Sequence, residues 1–164
     1  MDILISEPGW VAFSTENCSV ARTLALVGDK WTLLLLREAY YGTRRFTDFQ
    51  ARLGLARNLL AARLQTLVDG GLLSRVPYRK PGNRTRHEYR LTDAGRELFP
   101  VLVALLQWGD THLADPGGPA AILQHRGCGH PVHAVVQCAV GHQPLAPRDV
   151  RLLSGPGARL AADS

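Results

Sequence analysis

The sequence predicts a mainly α-helical fold with one small β-hairpin, which places it in the α+β class. Apolar residues recur at helical spacing in several segments that follow a capping residue and stop at a glycine. Two further segments alternate around a turn rich in Pro, Gly and Asn, which is typical of a hairpin. With 164 residues, 46% of them hydrophobic, the chain can bury a hydrophobic core without disulfide staples.

The composition also indicates where the protein works. No apolar run approaches the ~18 residues that a membrane helix needs. The first ten residues have no basic lead-in followed by a long apolar stretch, so no secretory leader is readable. Three cysteines at uneven spacing do not indicate a disulfide framework, and we therefore expect a reducing, cytoplasmic setting.

The first two helices are predicted from apolar residues at helical spacing and from the residues that cap or end each helix. Residues 18–27 place Val20, Leu24 and Val27 on one stripe, and Gly28 follows as a stop. Asp29 can cap a second helix from Lys30 to about residue 41. Apolar residues surround this second helix almost completely, which predicts a central helix buried by its neighbours.

A pair of helices follows a short basic connection. We expect Thr47 to cap a brief helix that ends near Leu53, and a second helix over about residues 56–69 with Leu60 and Leu64 facing inward. Gly54 breaks the chain between them. Two helices joined by a tight, glycine-containing turn are a candidate helix-turn-helix.

A basic hairpin is predicted after this pair. Residues 72–78 and 85–91 alternate as strands on either side of the turn at 79–84. Four cations lie at or near its tip: Arg79, Lys80, Arg84 and Arg86. A helix-turn-helix followed by such a hairpin is the winged-helix layout, in which helix 56–69 enters the major groove and the wing, residues 75–90, reaches the backbone or the minor groove.

A long helical segment from Asp93 to about Ala114 completes the predicted domain. Pro100 lies inside it and is expected to kink the helix, at a cost of about 3 kcal/mol if unrelieved. The segment carries more apolar surface than one small core requires, which favours a subunit interface, although packing on its own winged core stays open. The residues concerned are Leu98, Val101, Leu102, Leu105 and Trp108.

The charge is concentrated in the middle of the chain. Residues 18–96 carry 15 Lys and Arg against 6 Asp and Glu, a net +9, whereas the remaining residues are net −4. This distribution is typical of a surface that binds a polyanion. The alternative is a solvated surface of an arginine-rich protein, since Arg outnumbers Lys 17 to 2.

Several short sequence motifs, taken in their order along the chain, resemble those of the HxlR-type winged-helix transcription regulators, relatives of the MarR group. They are Cys18 before the first helix, Gly-Asp-Lys-Trp-Thr at 28–32, Arg45-Phe46, Ala-Arg-Asn-Leu-Leu at 56–60 with Arg63-Leu64, Asp-Gly-Gly-Leu at 69–72, Tyr-Arg-Leu-Thr at 89–92, and 101–109 ending in Trp-Gly. The resemblance covers about residues 17–112. It implies a DNA-binding homodimer with its first and last helices at the interface, and typically a repressor, sometimes an activator.

The predicted DNA contacts divide into side chains that contact bases and side chains that contact phosphates. With Leu60 inward, Asn58, Ala62 and Gln65 fall on the groove side of helix 56–69, and Arg57 lies at its exposed start. Asn and Gln can pair with adenine, Arg with guanine, and Ala can touch a thymine methyl. Phosphate contacts are expected from the remaining cations: Arg44, Arg45, Arg63, Arg79, Lys80, Arg84 and Arg86.

Two regulatory alternatives stay open. Cys18 is either a small buried hydrophobe or a thiol activated by a helix start; some members of the resembled family sense oxidants, quinones or aldehydes at this position. A small ligand at the dimer interface is the second route. A winged helix that binds protein and never DNA is a further alternative. We expect no enzyme, because the sequence has no phosphate loop, nucleophile elbow or usefully spaced carboxylate pair.

The rest of the chain divides by composition. We expect an arm at 1–16, the winged domain at 17–114, a linker at 115–121, an extension at 122–153 and a flexible tail at 154–164. The extension has the spacing of a zinc-ribbon-like appendage with structural Zn at His125, Cys128, Cys138 and His142. Some family members carry H-x2-C-G and then C-x2-C-G; here Gly141 replaces the last Cys, so the site is either repaired by His142 or degenerate.

Overall fold

The computed structural model describes residues 14–79, 85–153 and 155–158. The chain divides into two compact units. The first unit is residues 23–102. The second unit contains the described residues up to Arg22 together with those from Val103 onward.

The first unit has the predicted winged-helix order of elements. The helices and strands of the described chain are α1 (Ser19–Val27), α2 (Lys30–Tyr40), α3 (Phe46–Leu53), α4 (Arg57–Asp69), β1 (Leu73–Tyr78), β2 (Arg86–Leu91), α5 (Asp93–Glu97) and α6 (Phe99–His112). Strands β1 and β2 pair antiparallel, from Leu73 opposite Leu91 to Tyr78 opposite Arg86. The mainly helical fold with a hairpin wing is therefore confirmed.

Helix α2 occupies the centre of the first unit, as predicted. Leu35 and Leu36 on this helix are completely buried. The side chains that pack with them come from α3, α4 and β1, and the fully buried ones are Phe49, Leu60, Leu64, Leu67 and Leu73. The inner face of α4 is thereby fixed against the core, which leaves its opposite face to solvent.

The helix starts show which predicted caps form. Asp29 caps α2, since its Oδ1 accepts from the N–H of Trp31 at 3.0 Å and of Thr32 at 3.4 Å. Thr47 does not cap α3, and that prediction is wrong. The helix starts at Phe46 because Arg45 is extended and bridges Glu88 on β2, so the first helical residue follows that bridge directly.

Pro100 separates two helices and does not kink one. Helix α5 ends at Glu97, Leu98 forms the turn, and α6 begins at Phe99. Pro100 has no N–H to offer the carbonyl of Arg96, so a continuous helix would lose a bond and clash there. In the first turn of a new helix the missing N–H costs nothing.

The extension contains little regular structure. In its described residues we find a bridge between Gln124 and Pro131 and one 3-10 turn at Pro147–Asp149. The paired strands of a zinc ribbon are not formed there, which corrects the predicted appendage. Within the described ranges, no helix is both long and apolar enough to cross a membrane.

Candidate nucleic-acid interface

The exposed face of α4 carries the predicted base-reading side chains. Asn58, Ala62 and Gln65 are all exposed, on the side away from the buried Leu60 and Leu64. The amide nitrogen of Gln65 donates to the Asp69 carboxylate at 2.7 Å, which restrains its side chain. The predicted solvent face of α4 is therefore the exposed one.

Arg57 begins α4 and is held by an aromatic ring. Its guanidinium lies 5.6 Å from the ring centroid of Phe46, the first residue of α3. Such a cation–π contact restricts the arginine without neutralising it. Arg57 therefore remains exposed and charged at the start of the helix.

Arg63 was expected to contact phosphate, but it is engaged inside the protein. Its Nη2 lies 3.2 Å from Oδ2 of Asp29, the residue that caps α2. Arg63 is only partly exposed, and its Nε is buried with no hydrogen-bond partner. This pair connects the start of α2 to α4, which gives Arg63 a structural contact in the folded chain.

A short strap joins the entrance of α3 to the wing. The N–H of Tyr89 donates to the carbonyl of Arg44 at 2.7 Å, and Arg45 forms a bridge with Glu88. The Arg45 guanidinium lies 3.6 Å from Glu88 and 5.1 Å from the ring centroid of Tyr78. The strap leaves the Arg44 side chain exposed.

Glu88 is the acidic centre of this basic surface. Arg90 approaches its other oxygen at 3.1 Å. The hydrogen bond from Arg90, together with the charges of Arg90, Arg45 and Arg44, lowers the pKa of Glu88 below its ordinary value. The carboxylate thus organises cations at the base of the wing.

The wing presents cations that the sequence analysis did not predict. Arg79 and Arg86 are exposed on the hairpin, as expected, while Lys80 and Arg84 lie outside the described residues. Arg75 and Arg90 are exposed as well and were missed. The available signal was their charge, because a long cationic side chain on a two-stranded hairpin keeps its head in water.

The five residues predicted for a dimer interface divide into two groups. Leu98 and Leu102 pack against the core of the first unit, so for these two the alternative of packing on the winged core holds. Val101, Leu105 and Trp108 are 46%, 50% and 58% exposed along one side of α6. On α1, Val20 and Leu24 are similarly exposed.

The cysteines are free thiols. Cys18 is partly exposed and directly precedes α1. In the extension, His125 Nδ1 lies 3.2 Å from Cys128 Sγ, and Cys138 Sγ lies 3.3 Å from His142 Nδ1.

These contacts make two separate pairs. Across the described ranges no three His, Cys, Asp or Glu side chains converge as metal ligands, so the expected four-ligand centre is not assembled. A tetrahedral zinc site needs four ligands at one point, and Gly141 supplies none where relatives of the resembled family have Cys.

Comparison with known proteins matches this architecture. Residues 26–116 match the HxlR-like helix-turn-helix family. Rv3095 of Mycobacterium tuberculosis, named as an HTH-type transcriptional regulator, is 46% identical over 149 residues, covering 90% of this chain and 93% of that protein. YdeP of Bacillus subtilis, named in the same way, is 32% identical over 98 residues, and the alignment covers 59% of this chain and 75% of YdeP.

Solved structures agree with the sequence relatives. PA1607, assigned as a transcription factor, is 44% identical with a TM-score of 0.77, covering 86% of this chain and 97% of its own. The redox regulator HypR in its reduced form is 29% identical with a TM-score of 0.51, covering 56% of this chain and 90% of its own. The predicted resemblance is confirmed: the chain belongs to the HxlR-like helix-turn-helix family of transcriptional regulators.

Proposed function

We propose that the protein is a sequence-specific, DNA-binding transcriptional repressor that acts as a homodimer. The observation that carries the proposal is the solvent face of α4, where Arg57, Asn58, Ala62 and Gln65 lie together beside a cationic wing. Helix α4 would enter the major groove, and the wing would lie on the backbone or in the minor groove.

The face of α4 has the chemistry of direct readout. Amide side chains such as Asn58 and Gln65 can bond the N6 and N7 edge of adenine, and a guanidinium can bond O6 and N7 of guanine. The small Ala62 permits close approach between them. Arg57 suits this role because the Phe46 ring restrains it before DNA arrives, so less side-chain entropy is lost on binding.

Phosphate contacts would come from the strap and the wing. Arg44 and Arg86 are exposed, and each lies next to backbone held by β-pairing. Phosphate contacts set the register of the protein on the duplex and carry no base information themselves. Arg63, paired with Asp29, is omitted from this set.

The homodimer is supported by the exposed apolar side chains of α1 and α6. Val20, Leu24, Val101, Leu105 and Trp108 expose about half or more of their surface. Apolar stripes of this kind mark interaction surfaces. In a twofold dimer each α4 would meet one half of a palindromic operator.

A binding experiment tests the proposal. Footprinting on the DNA upstream of the gene should protect a palindromic site, and affinity should be measured by fluorescence anisotropy between about 50 and 200 mM salt. A binder with ~6 phosphate contacts loses affinity steeply with salt. A flat salt dependence would instead favour the alternative, a winged helix that binds protein and not DNA.

A redox-responsive form of the same function is a second candidate. Cys18 is a partly exposed free thiol at the start of α1, and HypR, a redox regulator, shares the fold at 29% identity. Modification of Cys18, either oxidation to a sulfenic acid by a peroxide whose O–O bond is broken or addition of the thiol to a quinone, would release the protein from DNA. Operator binding by the wild type and by Cys18→Ser should be compared before and after a peroxide or quinone; a Cys18→Ser protein that still responds would remove this candidate and leave a ligand at the dimer interface.

A further inference from the structure

The side of α6 opposite the proposed dimer stripe faces the extension within the second unit. Its residues are three or four positions apart along the helix, and they are Val103, Leu106, Gln107, Asp110 and Thr111. Val103 is buried, at 3% exposure, yet it is not a member of the core cluster of the first unit. The residues that line a cavity together with it belong to the linker and the extension.

Two stretches of the extension form the wall that faces this side of the helix. The N–H of Val132 donates to the carbonyl of Leu123 at 2.9 Å, so the two stretches run side by side. The N–H of Ala134 donates to the side-chain oxygen of Gln107 on α6 at 3.0 Å. The wall is therefore held both by its own pairing and by its attachment to the helix.

The helix and the extension line a cavity of about 250 Å³. Its walls are mainly apolar, with Val103 and Leu106 from α6 and Ile122, Leu123 and Val132 from the extension. An apolar cavity of about 150 Å³ accommodates one benzene molecule. The volume here therefore suits an apolar body of roughly ten non-hydrogen atoms.

One carboxylate belongs to the lining of this cavity. Asp110 is partly buried, and in the part of the chain that the structure describes its oxygens form no hydrogen bond and no ion pair. Between Val101 and Pro147 the sequence has a single Lys or Arg, which is Arg126. A carboxylate beside apolar surface has lost part of its hydration, and a cationic donor compensates that loss with a charge-assisted hydrogen bond.

The other polar side chains of the lining are less suited to a charged ligand. The Thr111 hydroxyl donates to the carbonyl of Gln107 at 2.9 Å, and the Gln107 side-chain oxygen accepts from Ala134. His133 adds an imidazole. Asp110 carries the one negative charge of the lining, so the cavity selects for positive charge on a ligand.

We propose that this cavity binds a small apolar amine, whose ammonium group donates to the Asp110 carboxylate while its apolar body lies against Val103, Leu123 and Val132. A mainly apolar cavity with a few polar groups that fix orientation is the usual form of a small-molecule site. The inference goes beyond the proposed function, because it requires neither DNA binding nor a dimer.

Three probes with the same ring separate charge from shape. Phenethylamine, phenethyl alcohol and phenylacetate are cationic, neutral and anionic at neutral pH. An NMR titration of isotope-labelled full-length protein gives a dissociation constant for each probe and identifies the residues whose signals move. The amine should bind about tenfold more tightly than the alcohol, phenylacetate should bind more weakly than either, and the shifts should concentrate at Val103, Leu123 and Val132.

Three variants test the site itself. Asp110→Asn keeps the shape of the side chain and removes its charge, so it should weaken binding of the amine about tenfold and leave the alcohol within about twofold. Retained binding of the alcohol shows that the cavity is intact in this variant. Asp115→Asn removes the same charge from an acid outside the lining and is the matched control. Leu123→Trp fills the cavity and should abolish binding of the amine and the alcohol alike.

The outcomes decide the inference in either direction. Equal affinities for amine and alcohol, or wild-type affinity for the amine in Asp110→Asn, would overturn it because the carboxylate would then not select the ligand. Signals that move only in the first unit, or no movement with any probe up to its solubility limit, would overturn the site. None of these measurements involves DNA, so their failure is distinguishable from failure of the proposed repressor.

Discussion

Arg63 on α4 and Asp29, the cap of α2, are 34 residues apart in sequence and form an ion pair with an N–O distance of 3.2 Å. One carboxylate therefore serves two purposes: Oδ1 caps the helix and Oδ2 holds the arginine. The two purposes can be separated by substitution.

Asp29→Ala removes both the cap and the ion pair, whereas Asp29→Asn retains an oxygen that caps nearly as well. We expect Asp29→Ala to lower the free energy of unfolding by about 1–2 kcal/mol, and Asp29→Asn by less than about 1 kcal/mol because the pair is partly solvated. Urea denaturation measures both. Equal losses for the two variants would show that the cap contributes nothing.

Arg63→Ala should leave the salt dependence of DNA binding unchanged, because the guanidinium is engaged with Asp29. Arg44→Ala, at an exposed cation of the strap, should reduce the slope of log K against log salt by about 1. Arg126→Ala in the extension changes the net charge equally and serves as control. A reduced slope for Arg63→Ala would show that Arg63 contacts phosphate after all.

Glu88 should make the wing sensitive to acid. Its pKa is lowered in the folded protein, chiefly by the Arg90 hydrogen bond, so its stabilising contribution is present above the unfolded pKa and is lost as pH falls through the folded one. The Tm of wild type should exceed that of Glu88→Gln at neutral pH, and the difference should shrink below about pH 4.5. Glu97→Gln on α5 is the control; a difference that stays constant down to pH 3 contradicts the assignment.

Gly95→Ala should destabilise the protein although Ala is the better helix former. A Cβ at Gly95 would lie 2.1 Å from the carbonyl oxygen of Leu72, which is backbone and cannot move aside easily. We expect a loss of about 1–3 kcal/mol in the free energy of unfolding. Ala94→Gly in the same helix measures propensity alone, at about 1 kcal/mol. A stabilised Gly95→Ala protein would show that α5 separates readily from the backbone of Leu72, just before β1.

Cys138 should react with iodoacetamide at lower pH than an ordinary thiol. Backbone N–H groups, first that of His142 and then those of Val140 and Gly141, donate to its sulfur and lower the pKa of the thiol. The His142 ring nitrogen also lies 3.3 Å from the sulfur, but because the leading causes are backbone donors, His142→Ala should keep most of the lowered pKa and of the pH dependence of alkylation. A large shift in that variant would assign the effect to the imidazole.

Local signals predicted the framework of the first unit. Helices α2 and α4 follow from caps, glycine stops and apolar periodicity, which are properties of neighbouring residues. Pro100 was predicted to disrupt the helix, but whether it kinks one helix or separates two depends on whether the chain can turn at Leu98.

Pairings over long distances were not predictable in the same way. The contact of Arg63 with Asp29 and the bridge from Arg45 to Glu88 join residues on different elements, and nothing in the local sequence specifies them. The assignment of Leu102 to the core and Leu105 to solvent depends on which apolar side chains of α6 find buried neighbours. Periodicity identifies stripes but does not say what covers each one.

The strap from Arg44 to Tyr89 has a consequence for the kind of DNA that this protein tolerates. It fixes the entrance of α3 to β2, so in the proposed complex α4 in one groove and the hairpin on the next could not adjust their separation freely. When a protein is stiff in this dimension, the duplex must supply the fit through its groove width and bendability. Base pairs that neither element touches would then affect affinity through the ease with which they deform.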